Sequence, residues 1–168
     1  MAESLTAIEA WLARYAPVSH ATLRPGLSEA QLQNLELRYR FPLNPDLRTL
    51  LSWHDGSQNS NGLDIWTDYL FETSEEMFSR SRFPDPLWDR HWVPFASDTG
   101  INTLVVDHTT GEGRILLHDG SSGIHPDWAW PNLRNLVAKT AHALTFSSPL
   151  DGRHGRALDG RLRWVSRE

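Results

Sequence analysis

The chain has 168 residues with 16 Lys+Arg against 21 Asp+Glu, a net charge of −5, 39% apolar residues, eight tryptophans and no cysteine. This length suits one hydrophobic core, and the missing cysteines exclude disulfides, thiolate metal sites and a cysteine nucleophile. The acidic balance argues against a nucleic-acid or anionic-membrane partner, and no run approaches the roughly 20 apolar residues of a membrane span. The N-terminal Met1-Ala-Glu-Ser lacks the basic and apolar regions of a signal peptide, so a cytoplasmic protein is expected.

Leu5, Ile8, Trp11, Leu12 and Tyr15 recur at helical spacing and predict a helix over 5–15, stopped before Pro17. Ser28-Glu-Ala-Gln31 is a capping box that opens a second helix, whose stripe is Leu32, Leu35 and Tyr39. A third helix carries the clearest punctuation. Asn44 is its N-cap, Pro45 takes the first turn, Asp46 faces the positive end of the dipole, and Leu47, Leu50 and Leu51 line one side. The pattern runs on through Trp53-His54-Asp55 and predicts a stop at Gly56, with φ > 0.

Beyond residue 62 the periodicity shortens. Leu63–Trp66 and Tyr69–Phe71 read as short strands, and Ser74–Phe78 as a brief helix. Trp92–Ala96, Thr103–His108 and Arg114–His118 are stronger strands, the last two joined by a glycine-containing hairpin loop. Pro126–Pro131 reads as an aromatic loop, and Asn132–Leu144 as a closing helix. Residues 147–168 read as a polar tail with one short edge strand at Leu162–Val165. The expected fold is α+β, a meander of strands with helices packed on it.

Patterns that carry chemistry are weak. The pairs His54-Asp55 and His118-Asp119 resemble fragments of metal-dependent hydrolase sites, but each precedes a glycine and suits a cap or turn. His108 and His118 flank one hairpin but fall well separated on one face, whereas a metal site would need both close together plus a third ligand. Asp98, Asn102 and Asp107 lack the spacing of a calcium loop and read as turn residues. No Gly-x-Ser-x-Gly elbow or phosphate-binding glycine loop occurs. Catalysis, metals and cofactors are therefore not expected.

Two stretches go further. Pro45–Gly56, with Leu50-Leu51-Ser-Trp53-His-Asp-Gly56, resembles the helix of the SUKH superfamily, the Smi/Knr-like proteins. Trp92–Asp107, with Pro94-Phe95-Ala, Asp98-Thr-Gly100-Ile-Asn102 and a closing Asp107, resembles that superfamily's second signature, although its turn is usually richer in glycine. The resemblance covers about residues 1–146. It implies a sheet with packed helices and a protein-binding role, in bacteria as immunity proteins against secreted toxins and in fungi as regulatory interaction hubs.

The partner surface is expected among Trp53, His54 and Asp55 at the helix end and Trp66, Trp128 and Trp130 in the loops. Loop tryptophans serve equally as binding anchors or as lids over the core. Asp64, Asp68, Asp85 and Asp127 are candidates to face a basic toxin, where complementary charge raises the on-rate.

Overall fold

A computed structural model describes residues 1–58, 63–83, 85–98 and 100–166, leaving aside the side chains of residues 126–129. Helix α1 (Ala2–Tyr15) buries Leu5, Ile8 and Leu12 and is followed by a short turn, α2 (Pro17–His20). Strand β1 (Leu23–Pro25) leads into α3 (Glu29–Tyr39), whose capping box is formed as the sequence predicts. The Ser28 hydroxyl accepts from the Gln31 amide at 3.4 Å, and Gln31 Oε1 accepts from the Ser28 amide at 2.8 Å. Arg40 then ends α3 in the left-handed region, with φ 68°.

Helix α4 (Pro45–Trp53) starts as its punctuation predicts, with the Asp46 and Leu47 amides donating to Asn44 Oδ1 at 2.9 and 3.4 Å. Its end differs from the expected one. His54 is already extended (φ −148°, ψ 144°), and His54–Ser57 form strand β2, paired antiparallel with β1. Gly56 does have positive φ, 71°, but inside that strand. A Cβ there would lie 2.4 Å from the Thr73 amide nitrogen and 2.5 Å from the Glu72 carbonyl carbon. The glycine therefore permits a backbone crossing rather than a helix stop.

Strand β3 (Leu70–Phe71), helix α5 (Ser74–Ser81) and strands β4 (Trp92–Ser97), β5 (Asn102–Asp107), β6 (Arg114–Asp119) and β7 (Gly123–Trp130) follow. The strands form one antiparallel sheet in the order β3-β4-β5-β6-β7. Pro94 is tolerated inside β4 because the register shifts between Pro94 and Ala96, and two-residue β3 reaches only Ala96 and Ser97. The aromatic loop expected at 126–131 is instead the edge strand β7. At an edge the amide that Pro126 lacks need not join a ladder, so the proline does not break the strand.

Alternation splits the sheet into two faces. Leu104 pairs across from Leu117, and Val106 from Ile115; with Val93 and Phe95 they pack on the main core, shared with α1, α3, α4 and α6 (Leu133–Phe146). Thr103 pairs with His118, and Val105 with Leu116, on the other face. Where a polar tail with one short strand is expected, β8 (Pro149–Leu150), β9 (Arg153–Leu158) and β10 (Arg161–Ser166) form a three-stranded antiparallel sheet. It is tied back by Leu162 N–H to Ser19 Oγ at 3.0 Å and by Trp164 Nε1 to the Asp64 carbonyl at 2.8 Å. The whole is the α+β arrangement expected from the order of elements.

Candidate functional site

The residues singled out as partner contacts do not converge. Trp53 is half-buried against the core, stacked on Phe71 with centroids 6.4 Å apart. The His54 ring is held from both sides, Nδ1 lying 2.6 Å from the Arg24 carbonyl and Nε2 2.8 Å from Glu9 Oε2. Glu9 Oε1 meets His20 Nε2 at 2.5 Å. Burial raises the Glu9 carboxyl, but the two histidines outweigh it and hold the group below its ordinary value. Asp55 is buried and accepts from the Ser74 amide at 2.7 Å, so it satisfies the start of α5. These three residues lock β2 to its neighbours.

Two tryptophans expected in loops belong to the core. Trp66 is 2% exposed and meets Phe71 and Phe95 edge-on at 5.5 and 5.2 Å. Trp130 is buried at the end of β7, with Lys139 Nζ 5.1 Å from its ring centroid. Each ring buries a large apolar area, which is why both fold inward rather than stand at the surface. The side chains of Asp127 and Trp128 lie outside the described residues. Asp64 is partly buried and its carboxyl is raised by desolvation, against the pull of Arg163. Asp68 is exposed and pairs with Arg153 at 2.5 Å.

The signature residues build structure. Leu50 and Leu51 are fully buried on α4 behind Pro45, and Phe95 is buried at the bulge after Pro94. Asp107 accepts from the Thr109 amide and hydroxyl at 2.8 and 2.6 Å. Asp98 Oδ1 accepts from the amides of Gly100 and Asn102 at 2.8 and 3.0 Å, while Oδ2 accepts from Asn102 Nδ2 at 2.8 Å. One carboxylate thus fixes the β4–β5 turn and sets the position of Ile101 between its two hydrogen-bonded neighbours.

That turn forms one lip of a cleft of about 680 Å³ on the second face of the sheet, which sequence reasoning missed. Ile101 (56% exposed) stands on this lip and Phe83 (73%) on the opposite one, after α5. Leu87 (45%) is also exposed, its Cβ 3.8 Å from where a Cβ on Gly123 would sit. The floor is polar. His118 is 3% exposed, edge-on to Trp88 at 4.9 Å, with Nε2 3.3 Å from Asp85 Oδ2. Burial pushes His118 below the usual histidine value, against the opposing pull of Asp85 and Asp119.

Among the described residues the buried Trp88 Nε1 has no hydrogen-bond partner, and His118 Nε2 has only the Asp85 carboxylate near it. A buried orphan such as Trp88 Nε1 costs roughly 1–3 kcal/mol, which a bound partner's polar group would recover. Arg80 reaches the cleft from α5 and is anchored by Glu72, its Nε lying 2.9 Å from Glu72 Oε1; Ser97 Oγ donates to the same oxygen at 2.6 Å. An apolar rim over a few converging polar groups is the layout of a recognition site. Among the described residues, no group of three or more His, Cys, Asp or Glu is placed to hold a metal. No helix among them is long and apolar enough to cross a membrane.

The sequence comparisons agree with the two signatures. A family model described as SMI1 / KNR4 family (SUKH-1) matches residues 26–139, and the chain belongs to that family. The matched span runs from Gly26, shortly before α3, into α6 and so takes in both signatures and every element around the cleft. No curated protein matches the chain.

Proposed function

We propose that this chain is a non-enzymatic protein-binding domain, an immunity protein that neutralises a secreted toxin by direct contact, and that the cleft at Phe83 and Ile101 receives the toxin. The observation that carries this reading is the pair of exposed large apolar side chains Phe83 and Ile101 lining one cleft, whose floor holds the buried Trp88 Nε1 with no hydrogen-bond partner among the described residues. Scattered surface apolar residues need no explanation, but a contiguous group with a polar floor does. Membership of the SUKH-1 family supports a binding role. Asp85 and Glu76 at the cleft, with a net charge of −5, favour a toxin face that is basic.

Co-expression with a candidate toxin domain tests the proposal. Wild-type protein is expected to protect cells and co-purify with the toxin, and a Phe83→Asp/Ile101→Asp protein to do neither while staying folded. Protection by the folded double variant would place the contact elsewhere. Protection by wild-type protein without co-purification would argue against direct binding.

A further inference from the structure

A second cleft, of about 420 Å³, lies between α3, the end of α5 and the turn before β4. It gathers Arg38, Arg40, Arg82 and Arg90 from three separate parts of a chain in which acids outnumber bases 21 to 16. Composition does not force such a cluster. Arg38 is engaged, with Nη1 2.7 Å from Glu75 Oε2 and its guanidinium over the Phe78 ring at 3.9 Å. Arg40, Arg82 and Arg90 are exposed, and among the described residues none of their side chains has an ion pair or hydrogen bond. Asp89, the carboxylate nearest Arg90 in sequence, accepts instead from the backbone and ring of His91 at 2.8 and 3.0 Å.

Part of this arrangement has a local cause. Arg40 and Arg82 cap the C-terminal ends of α3 and α5, where the helix dipole favours a cation. That accounts for two positions separately, but not for Arg90, which belongs to no helix, nor for their convergence on one cavity. Three unpaired guanidiniums around a shared space repel one another, and an anion between them relieves the repulsion. The walls are aromatic. Phe41 lies 5.8 Å from His91 and 5.7 Å from Tyr39, ring centre to ring centre. Burial holds the Tyr39 phenol protonated, so it remains a donor.

We propose that this arginine cleft binds a phosphate monoester carried on a flat ring, a ligand of mononucleotide size. Guanidinium groups grip phosphate bidentately, and a phosphate monoester brings about −1.5 to −2 charges, enough to balance several arginines where a single carboxylate would not. The ring stacks on the aromatic wall. The volume falls within the roughly 300–1,000 Å³ typical of small-molecule sites. Arg82 and Phe83 are consecutive but turn to different clefts, so the two sites are separate and this inference does not rest on the toxin-binding reading.

Calorimetric titration of the full chain with AMP, adenosine and inorganic phosphate tests it. AMP is expected to bind, phosphate to bind more weakly, and adenosine to give no measurable heat, with AMP affinity falling as salt rises. Arg82→Gln and Arg90→Gln, both at exposed positions, are each expected to weaken AMP binding about tenfold, the loss of one charge-assisted contact. The Phe83→Asp/Ile101→Asp protein is expected to bind AMP as wild type does. Adenosine binding as tightly as AMP, an unchanged affinity in a folded R82Q/R90Q protein, or binding of poly-glutamate but of neither AMP nor phosphate would each overturn the proposal.

Discussion

Gly56→Ala is the most exacting perturbation of the fold, because two costs fall on one atom. The backbone sits at φ 71°, a region that costs an L-residue about 1–2 kcal/mol. The new methyl would also lie 2.4 Å from the Thr73 nitrogen and 2.5–2.6 Å from the Glu72 carbonyl group, all of it backbone that no rotamer change can clear. Overpacking of that kind costs about 1–3 kcal/mol, so the sum is about 2–5 kcal/mol. Relief requires β2 to move from the start of α5, which strains the Ser74 N–H to Asp55 bond (2.7 Å) and the Ser57 Oγ–H to Phe71 carbonyl bond (3.1 Å). Urea unfolding followed by circular dichroism measures the loss. Gly111→Ala is the control, since nothing lies within 4 Å of its Cβ position, and it is expected to change stability by less than about 0.5 kcal/mol. A Gly56→Ala protein as stable as this control would refute the crossing, whereas a loss of only about 1 kcal/mol would fit a simple helix stop with positive φ.

Trp66→Ala is expected to cost about 3–5 kcal/mol, as for other buried aromatic truncations, and a stable variant that lost only its partner would return Trp66 to the binding surface. Asn44→Ala removes the acceptor of two α4 amides and is expected to cost about 0.5–2 kcal/mol in the same unfolding assay. His108 and His118 are both held below the ordinary histidine value, mainly by burial, so the native state resists their protonation. Their contribution to stability is full above the unfolded histidine value of about 6.5 and is lost as pH falls through the lower folded values. His108 Nε2 accepts from the Asn44 amide at 2.9 Å, a bond that protonation abolishes. His108→Gln is therefore expected to flatten the fall in urea midpoint between pH 7 and pH 5, and an unchanged slope would contradict this account.

The elements readable in the sequence are those whose signals are local. Ser28 and Gln31 lie within one turn, as do Asn44 and Pro45, and each pair marks a helix start without help from the rest of the chain. Strands β4, β5 and β6 announce themselves by runs of Val, Leu and Phe. Gly56 misleads because a helix stop and a close backbone crossing both call for φ > 0, and only the distant Glu72–Thr73 segment decides between them. Pro126 misleads because its tolerance depends on β7 being an edge, which is a property of the sheet order. The tryptophans at 66 and 130 sit beside turn residues in sequence yet turn inward in space. Both clefts were beyond reach for one reason: their walls come from segments that only the packing of α5 across the sheet brings together. The Asp98 turn was legible as a signature, but its part in positioning Ile101 was not.

The central claim is tested most directly by purifying the full chain from its native host in wild-type and Phe83→Asp/Ile101→Asp forms and identifying bound proteins by mass spectrometry. Wild-type protein is predicted to retain a protein with a secreted-toxin domain. The double variant, with an unchanged circular dichroism spectrum, is predicted to lose it, with affinity falling more than about thirtyfold, the measure of one strong interface residue. Retention of the same toxin by the folded double variant would contradict the account.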